Sequence, residues 1–317
     1  MLHISIMNRR NFSLIVMVLA LLVFTFTQRI SAEEEKYVLA VPMIEGFEET
    51  SFVSVIDNLG KAMGNKLGCS IETKIIGFKY GQRLIDLVRS EFEAGTADIS
   101  YINGLELGDY LNKKEKGLDI LFSLSMNKST IEKSCFFTRI GEFKDVSELR
   151  GKKWLGAVPV MPRFLLYSNG FDEPIDKFFG EIGYMTDSPI NVLVEALKNK
   201  DIDVISTYAH TMRLSGEMNK KPATIQPLYC SDYESTWVFV GNPKTNKKRM
   251  EQITQIMLRA HKDKDFNQFQ FAFAMINGKF EKLDDKAIEL IKKNAKLFEE
   301  KGWYKEEKEF YKKYYDK

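Results

Sequence analysis

Two stretches of this chain share one local design. "EAGTADISYING" (93–104) and "KNKDIDVISTYAH" (198–210) each begin at the tail of an amphipathic helix and cross a short polar turn. Each then sets an Asp, Asp98 or Asp203, ahead of strand-forming residues that end in polar and aromatic side chains. A helix-turn-strand device used twice predicts two similar α/β halves, and this constrains the fold more than any other feature. The surrounding pattern agrees. "KYVLAVPMI" (36–44), "SIETKIIGF" (70–78) and "ADISYI" (97–102) read as strands. Between them Phe52, Val55, Ile56, Leu59 and Met63, then Leu84, Leu87, Val88 and Phe92, recur at helical spacing. After "GEFKDVSELRGKK" the alternation restarts with "KWLGAV", a helix over 162–170, "GEIGYM", a helix over 189–199 and "DIDVIST". "KGLDILFSLSM", "KSCFFTRI", "TIQPLYC" and "TWVFVGN" add strands, and from Lys247 onward the chain reads as mainly helical. Such alternation predicts mostly parallel sheets with helices on their faces. In open sheets of that kind a ligand lies at the carboxyl ends of the strands, beside helix N-termini. Two halves facing each other would hold a cleft between them.

Residues 1–32 read as a leader rather than as part of the fold. Arg9 and Arg10 precede an unbroken apolar run from Leu14 to Phe24, and Ile30-Ser31-Ala32 offers small residues for cleavage. The run is shorter than the roughly 20 residues of a spanning helix, so a cleaved signal and a periplasmic location are expected, with an uncleaved anchor as the alternative. The apolar run favours the general secretory route over the twin-arginine route that "RRNF" suggests. Over the whole chain 46 basic residues face 44 acidic ones, and Arg9, Arg10 and Arg29 belong to the leader. The remainder is near neutrality, without the basic surplus of a nucleic-acid binder. Cys69, Cys135 and Cys230 match no metal spacing. A Cys135–Cys230 bridge suits an oxidising compartment, but the preferred reading is of small buried hydrophobes. No cofactor is expected.

Several motifs, taken in order, resemble a known family. They are the "V-x-P" strand end, Tyr80 opening a helix, "G-x-x-D-I-x-Y" from Gly95 to Tyr101, "FKDVSELRGKK" and "VLVEALKNKDIDV". Together they resemble the PhnD-like (phosphate/phosphite/phosphonate-type) periplasmic substrate-binding proteins of ABC importers, over roughly residues 37–300. The resemblance implies a two-lobed type 2 periplasmic binding protein fold, each lobe a mostly parallel sheet flanked by helices. It implies lobe I from 37–138 plus 241–317 and lobe II from 139–240. Strand crossings near Ser134–Arg139 and Trp237–Gly241 would act as the hinge, and ligand would hold the lobes closed. It further implies a small-molecule ligand, an ABC permease or a membrane sensor as partner, and a monomer. In one place the chain departs from the family. Where phosphonate binders carry a Ser/Thr-rich turn, this chain has Val160, Met161 and Pro162 within "AVPVMPRFLLYSNG". Those residues bring no hydroxyl, and Pro162 brings no N–H. The expected ligand is therefore a small organic molecule, anionic or carboxylate-bearing and partly apolar, with Arg163 as its anion clamp.

The remaining candidate contacts follow from position. Met43 and Glu45 leave the first strand for the cleft, where Glu45 suits a cationic group or a helix N-terminus. Tyr80 occupies the place of a family cleft tyrosine. Tyr101 and Asn103 end one repeated strand; Tyr208 and His210 follow the other. Ser188, with Asp187, caps the helix that opens at Pro189, and Trp237 offers an aromatic wall at the second crossing. Met161 and Arg163 complete the set. Asp98 and Asp203 are read as structural, the Phe-rich "FNQFQFAFAM" as core, and the lysine-rich tail after Lys305 as a solvated helix face. His210 has no nucleophile at a recognisable spacing, which argues against an enzyme on this fold.

Overall fold

The computed structural model describes residues 35–45, 50–79, 81–156, 160–184, 190–216, 223–235, 237–275 and 277–315. The leader and the candidates Tyr80 and Ser188 lie outside the described residues. In chain order the elements of the first unit are β1 (Lys36–Ile44), α1 (Thr50–Leu67), β2 (Ser70–Phe78), α2 (Leu84–Glu93), β3 (Ile99–Ile102), α3 (Gly104–Asn112) and β4 (Asp119–Ser125). The second unit holds β5 (Ile131–Arg139), β6 (Lys153–Gly156), α4 (Val160–Tyr167), α5 (Ile175–Phe178), β7 (Glu181–Tyr184), α6 (Ile190–Lys198), β8 (Val204–Tyr208), α7 (Ala209–Leu214) and β9 (Ile225–Ser235). The chain then returns through β10 (Val238–Gly241), α8 (Lys247–Arg259), α9 (Asn267–Met275), β11 (Lys279–Glu281), α10 (Asp285–Glu300) and α11 (Trp303–Tyr315).

These strands build two sheets, ordered β11-β4-β10-β3-β1-β2 and β7-β6-β8-β5-β9. Each contains one parallel trio, β2-β1-β3 and β7-β6-β8, in which the first strand of the trio in chain order lies between the other two. The strands that carry the chain between sheets, β4, β5, β9 and β10, pair antiparallel beside those trios. The fold is two-lobed, with the same trio in each lobe.

The repeated Asp explains why the trios match. Asp98 Oδ2 accepts from the Val38 amide of β1 at 2.8 Å, and Asp203 Oδ2 accepts from the Lys153 amide of β6 at 2.9 Å. Each Asp amide donates back to the carbonyl of that same residue at 2.9 Å. The carboxylate thus satisfies the leading N–H of the neighbouring strand and fixes the start of the pair. Thr245 and Arg139 hold the second oxygen in each case. Both residues are structural, as read from sequence.

Each sheet is covered on both faces. In the first lobe α1, α8 and α9 bury Ile56, Leu59, Ile253, Met257 and Phe273 on one side. On the other side α2, α3 and α10 bury Val88, Phe92, Leu107 and Ile291. The second lobe packs α4 and α5 around Trp154, Phe136 and Phe178, and α6 and α7 around Leu193, Val194 and Met212. Phe298 of α10 and Trp303 of α11 enter the second lobe's core, so the C-terminal segment touches both lobes. α11 exposes Lys305, Lys308, Glu309, Lys312 and Lys313, as expected of a lysine-rich tail, but its other face buries Trp303 and Tyr311.

Two further expectations are corrected. β5 lies wholly in the second sheet, so the crossing expected at Ser134–Arg139 falls inside a strand. The chain crosses instead at 126–130, where Asn127 and Lys128 both take left-handed φ between the bridged pair Met126 and Ser129, the backbone of a tight type I′ turn. It returns between Ser235 and Val238. Cys135 and Cys230, directly opposed on β5 and β9, form a disulfide, whereas the sequence reading preferred free thiols. Cys69 is buried and takes no part in that bridge.

Candidate functional site

The carboxyl ends of β3 and β8 meet beside the crossings. Asn103, the first residue after β3, caps α3: its Oδ1 accepts from the Glu106 amide at 2.8 Å and its Nδ2 donates to Glu106 Oε1 at 3.1 Å. Glu106 also accepts from the Leu84 and Ile85 amides at 3.1 and 2.6 Å, which closes the N-terminus of α2. Burial lifts the Glu106 carboxyl above the usual range, and those amide bonds oppose the lift. In the same turn of α3 the Leu105 amide donates across the lobes to Glu234 Oε2 of β9 at 3.3 Å. Tyr208, which ends β8, donates its hydroxyl to Glu234 Oε1. One carboxylate therefore joins the two sheets.

Glu234 has acidic company. Glu132 of β5 is its register partner, and both are buried. Glu132 accepts from the His210 amide at 3.4 Å, and the imidazole Nδ1 lies 3.1 Å from Glu132 Oε2 without a hydrogen-bond alignment. The His210 ring stacks on Tyr208 with centroids 5.6 Å apart. Burial pushes Glu234 up to about 7; the Tyr208 and Leu105 bonds pull it down, while Glu106 and Glu132 push it further. Glu307 of α11 is likewise pushed to about 7 by burial, relieved by the Tyr311 hydroxyl and reinforced by Glu106 and Glu234. Burial, then the Glu234 charge, raises Tyr208 and Tyr233 well above their ordinary value. Among the described residues no Lys or Arg pairs with Glu132, Glu234 or Glu307.

The sequence candidates divide on this geometry. Asn103, Tyr208 and His210 come together here. Tyr101 is nearby in sequence but spends its hydroxyl on the Pro42 carbonyl at 2.8 Å and stacks on Trp237, with centroids 5.4 Å apart. Trp237 stays partly exposed at the second crossing. Met43 and Met161 are drawn into the packed cores of the first and second lobes. Glu45 stands exposed, 3.9 Å from Lys79 Nζ. Arg163 corrects the anion-clamp expectation. Only 7% exposed, its guanidinium lies over the Trp303 ring and reaches Asp172 at 3.1 Å and Glu306 at 3.4 Å. It binds α4 to α11, and those carboxylates already use its charge.

Glu106, Glu132, Glu234 and Glu307 were missed by sequence reasoning. The signal for two of them was present: an acid interrupts "IEKSCFF" and "SDYEST", each close to a crossing. An open cavity of about 520 Å³, lined by Lys128, His261, Gln270 and Lys279 among others, lies away from this site, against β4, β11 and α9.

No family model matches the chain, and no curated protein matches it. Solved structures do. PhnD1 from Prochlorococcus marinus (MIT 9301), in complex with methylphosphonate, aligns with TM-score 0.60 and 13% identity over 83% of this chain and 98% of its own. The binding protein component of an ABC phosphonate transporter from Pseudomonas aeruginosa aligns with TM-score 0.56 and 15% identity, over 88% and 97%. The periplasmic aliphatic sulphonate binding protein SsuA from Escherichia coli gives 0.51 and 10%, over 86% and 89%. The chain has the two-lobed fold of these binding proteins. Among the described residues no helix is long and apolar enough to cross a membrane.

Proposed function

We propose that this chain is an exported solute-binding protein, which captures a small molecule between its lobes and delivers it to an ABC importer without transforming it. One observation carries the reading. The carboxyl ends of β3 and β8, the corresponding strands of two trios with the same order, meet through Leu105, Tyr208 and Glu234 beside both crossings. That is where ligands lie in sheets of this kind. The crossings at 126–130 and between β9 and β10 act as the hinge, and lobe II accordingly begins near β5 rather than at 139. Closure then depends on a ligand that contacts both faces at once. The neighbours' names supply the importer, and the fold itself is common to all of them.

The anionic ligand expected from sequence loses its support at this floor. The α3 amide that would hold an oxyanion already serves Glu234, and Arg163 is committed to Asp172 and Glu306. A thermal-shift screen of the purified protein against a solute library, with small-angle scattering on each hit, tests the reading. A true ligand at 100 times its dissociation constant adds about 2.7 kcal/mol and shrinks the radius of gyration. A chain that binds no solute, or that turns one over, overturns it.

A further inference from the structure

Resting on that solute-binding reading, we propose that the ligand is a small organic cation, held through a protonated amine by Glu234 and Glu132. Two carboxylates opposed in register on neighbouring strands are electrostatically incomplete: among the described residues His210 is the one basic group beside Glu132, and Glu234 has only the Tyr208 hydroxyl and the Leu105 amide. Burying such charges is costly until a counter-charge arrives. Ser134 provides an independent pointer. It is fully buried, two residues from Glu132 on the same face of β5 and directly opposite Tyr208 in β8. Its Oγ has no partner among the described residues, and as a cross-strand partner it shares a sheet face with the Tyr208 side chain that reaches Glu234. An ammonium brings three donors and no acceptor. That matches two carboxylates and a serine oxygen.

The alternatives fit less well. An oxyanion beside Glu234 would also meet the charges of Glu106 and Glu132. Arg83, whose charge acts on Glu106, is bound to Asp109 at 2.7 Å. A metal ion is disfavoured because, among the described residues, no three His, Cys, Asp or Glu side chains converge on one point. Among the described residues, the titratable groups around the pair are Glu106 of α3, Tyr208 of β8, Tyr233 of β9 and Glu307 of α11 toward Glu234, and His210 of α7 toward Glu132. Amine binding therefore strengthens as the pH rises through about 7 and Glu234 gives up its proton.

Isothermal titration of the purified protein at pH 6 and 8 with putrescine, ethanolamine and lysine, and separately with methylphosphonate, ethanesulfonate and inorganic phosphate, decides the matter. The expected result is saturable binding of at least one amine, tighter at pH 8 and weakened roughly 10- to 100-fold by Glu234→Gln, the loss of one charge-assisted hydrogen bond. Glu132→Gln, which leaves the interlobe contact of Glu234 in place, is expected to weaken it likewise and guards against a folding defect in the first variant. Binding of an anion with all amines inert overturns the cation and leaves the solute-binding reading standing. Binding by neither set, with no change in radius, overturns both. Amine binding that both variants leave intact overturns the assigned carboxylates.

Discussion

The Cys135–Cys230 bridge joins β5 to β9, the strands through which the chain enters and leaves the second lobe, across a sequence separation of 95 residues. Within that loop lie β6, β7 and β8 and the helices between them. Cross-linking its ends removes loop-closure entropy from the unfolded chain. For a loop of this length the chain-entropy relation gives about 4.7 kcal/mol at 25 °C. Cys135→Ala/Cys230→Ala should therefore cost roughly 4–5 kcal/mol, within the range measured when native disulfides are removed. For a chain of this size the melting temperature should fall by roughly 10 °C. Urea unfolding followed by tryptophan fluorescence suits the measurement, because Trp154 is fully buried in the second lobe. The oxidised parent, the parent unfolded in reductant and the double variant should be compared by linear extrapolation. Reduced parent and variant should agree with each other and fall below the oxidised protein. A loss of under about 1 kcal/mol would refute the argument that the bridge acts by closing the long loop.

Three other outcomes follow from single positions. Gly108→Ala would bring a Cβ to 2.2 Å from the Ile291 carbonyl oxygen and force α3 off α10; a loss of roughly 1–3 kcal/mol in denaturant unfolding is expected, despite the better helix propensity of Ala. Burial raises the Glu234 carboxyl from an ordinary 4.5 to about 7, so the fold prefers its neutral form. The associated stability is whole below about pH 4.5 and is lost as the pH rises through about 7. Glu234→Gln should thus gain on the parent by up to roughly 3 kcal/mol between pH 5 and pH 8 in chemical denaturation. Arg163→Met should loosen α11 rather than empty the cleft. Cleavage by trypsin within 305–313 should quicken while amine affinity stays within about twofold, since Asp172 and Glu306 are half exposed and their pairs with Arg163 are worth little beyond positioning.

How far the sequence carried depended on whether a signal was local. β1 and β2 were legible to the residue, 36–44 and 70–78, because each is a run of strand formers punctuated at its ends. The Asp device was legible because the same local chemistry occurs twice. The crossing was not. "IEKSCFFTR" reads as one strand whichever sheet receives it, and only the register with β8 and β9 assigns it to the second lobe. Neither half of the disulfide carries a local mark, and Glu132 and Glu234, though visible as acids that interrupt their strands, read like ordinary exposed strand acids until their pairing is known.

The C-terminal helix shows a signal that was present and outvoted. Alternating Lys and Glu in "WYKEEKEFYKKYY" suggested a face in water, and most of those side chains are there. Yet Trp303, Glu307 and Tyr311 recur every four residues and so share one face. Trp303 fills the second lobe's core, Tyr311 lies 3.5 Å from the Cβ position of Gly81 in the first lobe, and Glu307 stands between them near Glu106 and Glu234. An acid on an otherwise aromatic stripe gains nothing from burial. Its position there places a charge at the meeting of the lobes, the same choice made at Glu132 and Glu234 by unrelated elements. Separate segments that set buried carboxylates within electrostatic reach of Glu234, Glu132 from β5 and Glu307 from α11, argue for a cationic guest more strongly than any one of those residues does alone.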